Sequence, residues 1–108
     1  MKYRIRYTPA ALKDMDDVWD DVLEASASYE TADKYVSDFA DKIAAKTKFP
    51  ESGIPLYYRD LFTGFYSVNF KAYKAYKAFY RIKDGYIEVI RVLLAKKEYM
   101  RILFGESE

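Results

Sequence analysis

Between residues 12 and 94 the spacing of apolar residues changes once, near residue 50, and that change limits the fold more than any other feature. Before it, apolar residues recur at helical intervals. After it, they alternate. Leu12, Met15, Val18, Trp19, Val22 and Leu23 form one stripe with acids between them, which predicts an amphipathic helix to about residue 24. Thr8-Pro9 supplies an N-cap followed by Pro at the first helical position. Ala25-Ser26-Ala27-Ser28 is a short break with a cap at its end. Tyr29, Ala32, Tyr35, Val36, Phe39, Ala40 and Ile43 then mark a second amphipathic helix, expected to end near Lys48. Phe49-Pro50-Glu51-Ser52-Gly53-Ile54-Pro55 stops it, because Pro and Gly cannot continue the hydrogen-bond ladder. Two helices joined so closely form an antiparallel hairpin.

Period-two segments flank this hairpin. Lys2 to Tyr7 puts Tyr3, Ile5 and Tyr7 on one face and Lys2, Arg4 and Arg6 on the other, as in a half-buried strand. Phe65 to Phe70 alternates after Gly64, and Ala75 to Ile82 is a further run. Lys83-Asp84-Gly85 then signals a hairpin turn. Tyr86 to Leu94 is the most apolar strand and is expected to be central. The Lys-Ala-Tyr repeat over 71–78 reads as a basic hairpin tip, and Ala95 to Phe104 as a short terminal helix with Tyr99, Ile102 and Leu103 on one side. The expected fold is α+β: an N-terminal strand, an antiparallel helical hairpin, a three-strand antiparallel meander and a short C-terminal helix. At 108 residues it is one domain, 1–108.

Composition removes several kinds of chemistry. The chain has no Cys and no His, so disulfides, thiolate nucleophiles, the commonest general base and the usual zinc ligands are excluded. No phosphate-binding Gly loop is present. No cofactor and no metal are expected. Asp16/Asp20 and Asp17/Asp21 are i,i+4 carboxylate pairs, read as a solvated helix face and as a surface that a basic partner would relieve of repulsion. No apolar run approaches the roughly 20 residues that span a bilayer, so a cytoplasmic protein without membrane contact is expected.

The net charge of +1 hides an asymmetry. Residues 1–50 hold eight Lys or Arg and ten Asp or Glu, whereas residues 51–108 hold ten and seven. Lys71, Lys74, Lys77, Arg81, Arg91, Lys96, Lys97 and Arg101, with Tyr99, lie on the later strands, their hairpin and the segment after them. Two readings stand. One is a sheet edge protected by lysines. The other is a basic face that grips phosphates, and that can cleave RNA without His if a phenolate or lysine serves as base and a cation stabilises the phosphorane.

The order of these elements resembles the RelE/ParE superfamily of toxins from bacterial type II toxin–antitoxin pairs. The matching stretches are Asp14-Met15-Asp16-Asp17-Val18-Trp19, Thr31-Ala32-Asp33-Lys34-Tyr35, the Phe49 to Pro55 segment, Ala78-Phe79-Tyr80-Arg81-Ile82 and Ile87-Glu88-Val89-Ile90-Arg91-Val92-Leu93. The Trp19 helix, the Pro-x-x-Gly-x-Pro segment and the Phe-Tyr-Arg strand look more like the ParE branch. That resemblance implies a toxin that blocks DNA gyrase and is neutralised by a cognate antitoxin, using Lys71, Lys74, Arg81, Arg91, Lys96 and Arg101 as a target-binding face. The alternative it implies is a RelE-like, ribosome-dependent mRNA endonuclease, with Lys77 and Lys97 on phosphates and Tyr99 near the cleaved nucleotide. The RelE-type nuclease carries alternate lysines on the strand matching 65–70, where this chain has Ser67 and Asn69. A third reading is a non-toxic member that only binds its antitoxin.

Overall fold

The computed structural model describes residues 3–71, 75–96 and 99–105. Strand β1 (Arg4–Tyr7) leads into helices α1 (Pro9–Ser26) and α2 (Tyr29–Ala44). Two 3-10 turns, Ala45–Thr47 and Pro50–Ser52, connect these to β2 (Ile54–Tyr58), β3 (Leu61–Lys71), β4 (Ala75–Lys83) and β5 (Tyr86–Leu94), and α3 (Tyr99–Phe104) follows. The five strands form one sheet in the order β1-β5-β4-β3-β2. β1 runs parallel to β5, and the other neighbours are antiparallel. The fold is therefore the expected α+β arrangement, with a four-strand meander where three strands were read.

The added strand is β2. Its Ile54-Pro55 sequence reads as a stop, but a Pro can sit in a strand at the edge of a sheet, and β2 is an edge. β3 begins at Leu61, four residues before the expected Phe65. α1 runs to Ser26, where Ala27 takes a left-handed conformation (φ 57°) and its N–H bonds back to Leu23. α2 stops at Ala44, and a 3-10 turn carries the chain to Thr47, so the helix is shorter than the predicted end at Lys48. β4 is the midpoint of the sheet, with β5 beside it in the interior. Of the basic tip expected over 71–78, Lys71 ends β3 and residues 75–78 belong to β4; residues 72–74, like Lys2, lie outside the described residues.

The core forms where the stripes of α1 and α2 meet one face of the sheet. Val18, Val22, Tyr35, Phe39 and Ile43 pack with Tyr76, Ala78, Tyr80, Ile87 and Val89. Phe39 stacks on Phe70 at 4.9 Å, and Tyr35 meets the same ring edge-on at 5.0 Å. The helix starts are anchored as the sequence implies. Thr8 Oγ1 accepts from the Ala11 N–H (3.0 Å) and donates to the Ile90 carbonyl (2.8 Å), so one side chain caps α1 and ties it to β5. Ser28 Oγ accepts from the Thr31 N–H at the start of α2. Tyr80 is fully buried and donates its hydroxyl to the Pro50 carbonyl (2.6 Å), which fixes the 3-10 turn against the sheet. No described helix is long and apolar enough to cross a membrane.

Candidate functional site

The sheet face opposite α1 and α2 carries most of the side chains singled out by charge. Because strand side chains alternate, Tyr76, Ala78 and Tyr80 enter the core while Lys77, Phe79 and Arg81 face the other way. Cross-strand register then fixes their neighbours. Lys77 stands opposite Asn69 and Leu93, Phe79 opposite Ser67 and Arg91, Arg81 opposite Phe65 and Glu88, and Lys83 opposite Tyr86. α3 lies across part of this face. Tyr99 packs on Phe79 with ring centroids 5.0 Å apart, and Phe104 meets Phe65 at 5.4 Å and Tyr58 at 6.4 Å. Phe79 is buried beneath this cover. Phe104 makes ring contacts that the stripe expected of Tyr99, Ile102 and Leu103 did not include, while Ile102 is exposed.

Three cations of the face are engaged: Lys77, Arg81 and Lys83. Lys77 Nζ donates to Asn69 Oδ1 at 3.0 Å. Arg81 Nε donates to Glu88 Oε1 at 2.8 Å, and Lys83 stands 3.9 Å from the same oxygen. Lys71 and Lys96 are exposed at the end of β3 and in the turn after β5, and Arg101 lies on α3. Lys74 and Lys97 fall outside the described residues, so the pairing of Lys97 with Tyr99 has no structural account.

Arg91 is turned away from the face that carries Lys77 and Arg81. Its side chain turns to α1, where Asp14 accepts from Nε at 2.7 Å and from Nη2 at 3.1 Å. Asp14 also accepts the Val92 N–H at 2.9 Å. Tyr80 pairs with Val89 and Phe79 with Arg91, so Ile90 is the extra residue of a bulge in β5 that re-aims this side chain. The hydrogen bonds to Asp14 push the Arg91 guanidinium above its ordinary range. Asp14 is correspondingly buried, not part of a solvated acidic face.

Asp21 is also committed, accepting from the Tyr76 hydroxyl at 2.9 Å. Burial, with this bond, holds the Tyr76 phenol well above its ordinary range. A cleft of about 340 Å³ lies between α1 and the end of β5, lined in part by Asp14, Asp17, Asp20, Asp21, Tyr76 and Arg91. It is the acidic counterpart of the open face.

Two residues of that face escaped the sequence reading. Arg4 and Arg6 alternate with apolar neighbours and read only as the outer side of a strand. Parallel pairing of β1 with β5 sets Arg4 beside Tyr86 and Arg6 beside Glu88. Alternation signalled that they share a face, but nothing local signals which strand lies beside them.

Comparison with known proteins agrees with this architecture. Residues 5–99 match the family model described as ParE toxin of type II toxin-antitoxin system, parDE. No curated protein matches the sequence. Among solved structures, the fold is similar to the chromosomal ParDE TA system from P. aeruginosa, with a TM-score of 0.71 and 18% identity over 88% of this chain and 98% of that one. It is similar to a mutant of E. coli toxin RelE in the free state, with a TM-score of 0.67 and 17% identity over 94% and 93% of the two chains. It is also similar to the YoeB/ParE toxin from Agrobacterium tumefaciens, with a TM-score of 0.57 and 18% identity over 84% and 96%.

Proposed function

The chain belongs to the ParE toxin family of type II toxin–antitoxin systems, and from that premise we propose that it inhibits DNA gyrase and is held inactive by a cognate antitoxin in the cytoplasm. The observation that favours gyrase over message cleavage is the engagement of the open face. Lys77 is held by Asn69, Arg81 and Lys83 share Glu88, and the Tyr99 ring lies on Phe79. Cleaving RNA without His needs a base and a cation directed at one phosphate. These contacts direct the described groups elsewhere and suit a surface that binds.

The antitoxin has a place to dock. Ile54, Tyr57, Leu61 and Phe62 on the β2–β3 hairpin, with Phe49 before it, are between 47% and 73% exposed. An apolar edge of this kind receives an extended or helical segment that folds on binding.

The experiment is a supercoiling assay with purified gyrase and relaxed plasmid. Addition of the protein lowers supercoiling, and prior addition of antitoxin restores it. Undiminished supercoiling at a tenfold excess of protein over gyrase, together with cut mRNA on translating ribosomes, would reverse the assignment. That second reading has one observation in its favour: Lys77 and Tyr99 flank Phe79 on the same face. Under it, K77A and Y99F abolish mRNA cutting with folding intact; under the gyrase reading neither removes toxicity.

A further inference from the structure

The end of the open face nearest the β4–β5 turn concentrates four cations, Arg4, Arg6, Arg81 and Lys83. Register fixes two rows across three strands. Arg4 on β1 stands opposite Tyr86 on β5, which stands opposite Lys83 on β4; the next row runs Arg6, Glu88, Arg81. Glu88 faces both Arg81 (2.8 Å) and Lys83 (3.9 Å), and Asp84 lies in the adjoining turn. Four cations against two carboxylates leave this corner at +2, twice the charge of the whole chain. Arg4 and Arg6 are exposed, and neither forms an ion pair among the described residues. The Arg6 guanidinium lies 4.6 Å over the Tyr86 ring. A shallow recess lined by Arg4, Arg6, Asp84 and Tyr86 opens beside it.

We propose that this corner binds the phosphate backbone of duplex DNA. Three physical arguments carry the choice. First, a guanidinium held over an aromatic ring by cation–π attraction keeps its N–H donors available, and that planar fork suits phosphate oxygens better than an ammonium does. Second, Arg4 and Arg6 are two residues apart along one strand, about 7 Å, while the partner row on β4 lies two strand spacings away, about 10 Å. The result is an open, flat grid suited to several phosphates in a row rather than one enclosed anion. Third, β1 is an edge strand, so the grid sits at the rim of the molecule and can meet DNA while the rest of the face engages a protein. The choice of duplex DNA rests on the gyrase reading, since duplex DNA is the substrate of gyrase. The attraction itself does not depend on that reading.

The test uses the whole chain and a fluorescently labelled 20-base-pair duplex, without gyrase, in anisotropy titrations from 50 to 200 mM NaCl. If about three phosphates are neutralised, the slope of log K against log salt is about −2.7, so affinity falls about 40-fold across that range. R4Q/R6Q reduces the slope by about 2, whereas K13Q/K34Q, which removes the same charge from the exposed surface of the helices on the other face of the sheet, leaves it unchanged. Equal losses in the two variants would overturn the proposal by showing diffuse attraction only. So would displacement of the duplex by millimolar inorganic phosphate beyond the effect of matched ionic strength, which indicates a free-anion site. Tighter binding of poly-glutamate than of DNA at equal charge would assign the corner to an acidic protein instead. Because gyrase is absent, failure here leaves the supercoiling assay to decide the gyrase reading separately, and full gyrase inhibition by R4Q/R6Q would not restore a failed DNA titration.

Discussion

Removing the Asp14 carboxylate is predicted to be the most costly single change to a charged residue in this fold. Asp14 is 8% exposed and accepts three hydrogen bonds, two from Arg91 and one from the Val92 N–H, across 77 and 78 residues of sequence. In D14A the Val92 N–H loses its acceptor at a buried position, at a cost of about 1–3 kcal/mol. The Arg91 side chain is 30% exposed. Its lost charge-assisted bonds are therefore partly replaced by water, and only about 1 kcal/mol of their value remains. The sum is about 3 kcal/mol. D14N keeps an acceptor for Val92 and should cost about half as much. Urea unfolding at pH 7 measures each value from the shift in midpoint at constant m. A double-mutant cycle of D14N with R91M should give a coupling of about 1 kcal/mol. D38A, which removes an exposed i,i+4 pair with Lys34, serves as the comparison and should match the parent protein. A D14A midpoint equal to that of D38A, or zero coupling with R91M, would refute the reasoning.

Three further outcomes follow from the packing. A Cβ at Gly53 would run into the Tyr80 hydroxyl and approach the Tyr66 Cβ at 3.1 Å; since Tyr80 is fully buried, G53A should destabilise by about 2 kcal/mol in urea titration, and an unchanged midpoint would show that the phenol swings aside. Burial pushes Tyr80 up to about 12 and raises Tyr76 as well, while both ionise near 10 when unfolded. The unfolded chain therefore binds fewer protons above pH 10, so stability is full below that pH and falls by about 1.4 kcal/mol per pH unit for each phenol as pH rises through the alkaline range. Y76F should shallow that slope by one phenol, and an identical slope in the variant would contradict it. Saturating antitoxin should raise the melting temperature, because a partner at 100 times its Kd adds about 2.7 kcal/mol to the folded state; an unchanged melting curve would remove the docking surface proposed at the β2–β3 hairpin.

The helices were legible because their signals are local. The stripe from Leu12 to Leu23, the Thr8-Pro9 start and Ser28 specify each helix without reference to the sheet, and the structure bears out both caps and the stripe from Met15 onward, while Leu12 is exposed. β2 was illegible because Pro55 argues against a strand until an edge position is known. The site divided along the same line. Within β4, period-two alternation puts Lys77, Phe79 and Arg81 on one face. The fate of Arg91 depends on Asp14, 77 positions away, and the neighbourhood of Arg4 and Arg6 depends on a parallel pairing between the first and last strands. Neither has a local signature. Charge counted along the sequence therefore assigned Arg91 to a surface from which its ion pair withdraws it, and omitted two arginines that the register brings there.

The central claim is that the toxin stops DNA gyrase. It is tested most directly by inducing the protein in a bacterial culture and pulse-labelling DNA and protein synthesis in parallel. The account predicts an early fall in DNA synthesis while translation continues. An early fall in translation with DNA synthesis intact would contradict it and make the ribosome the target.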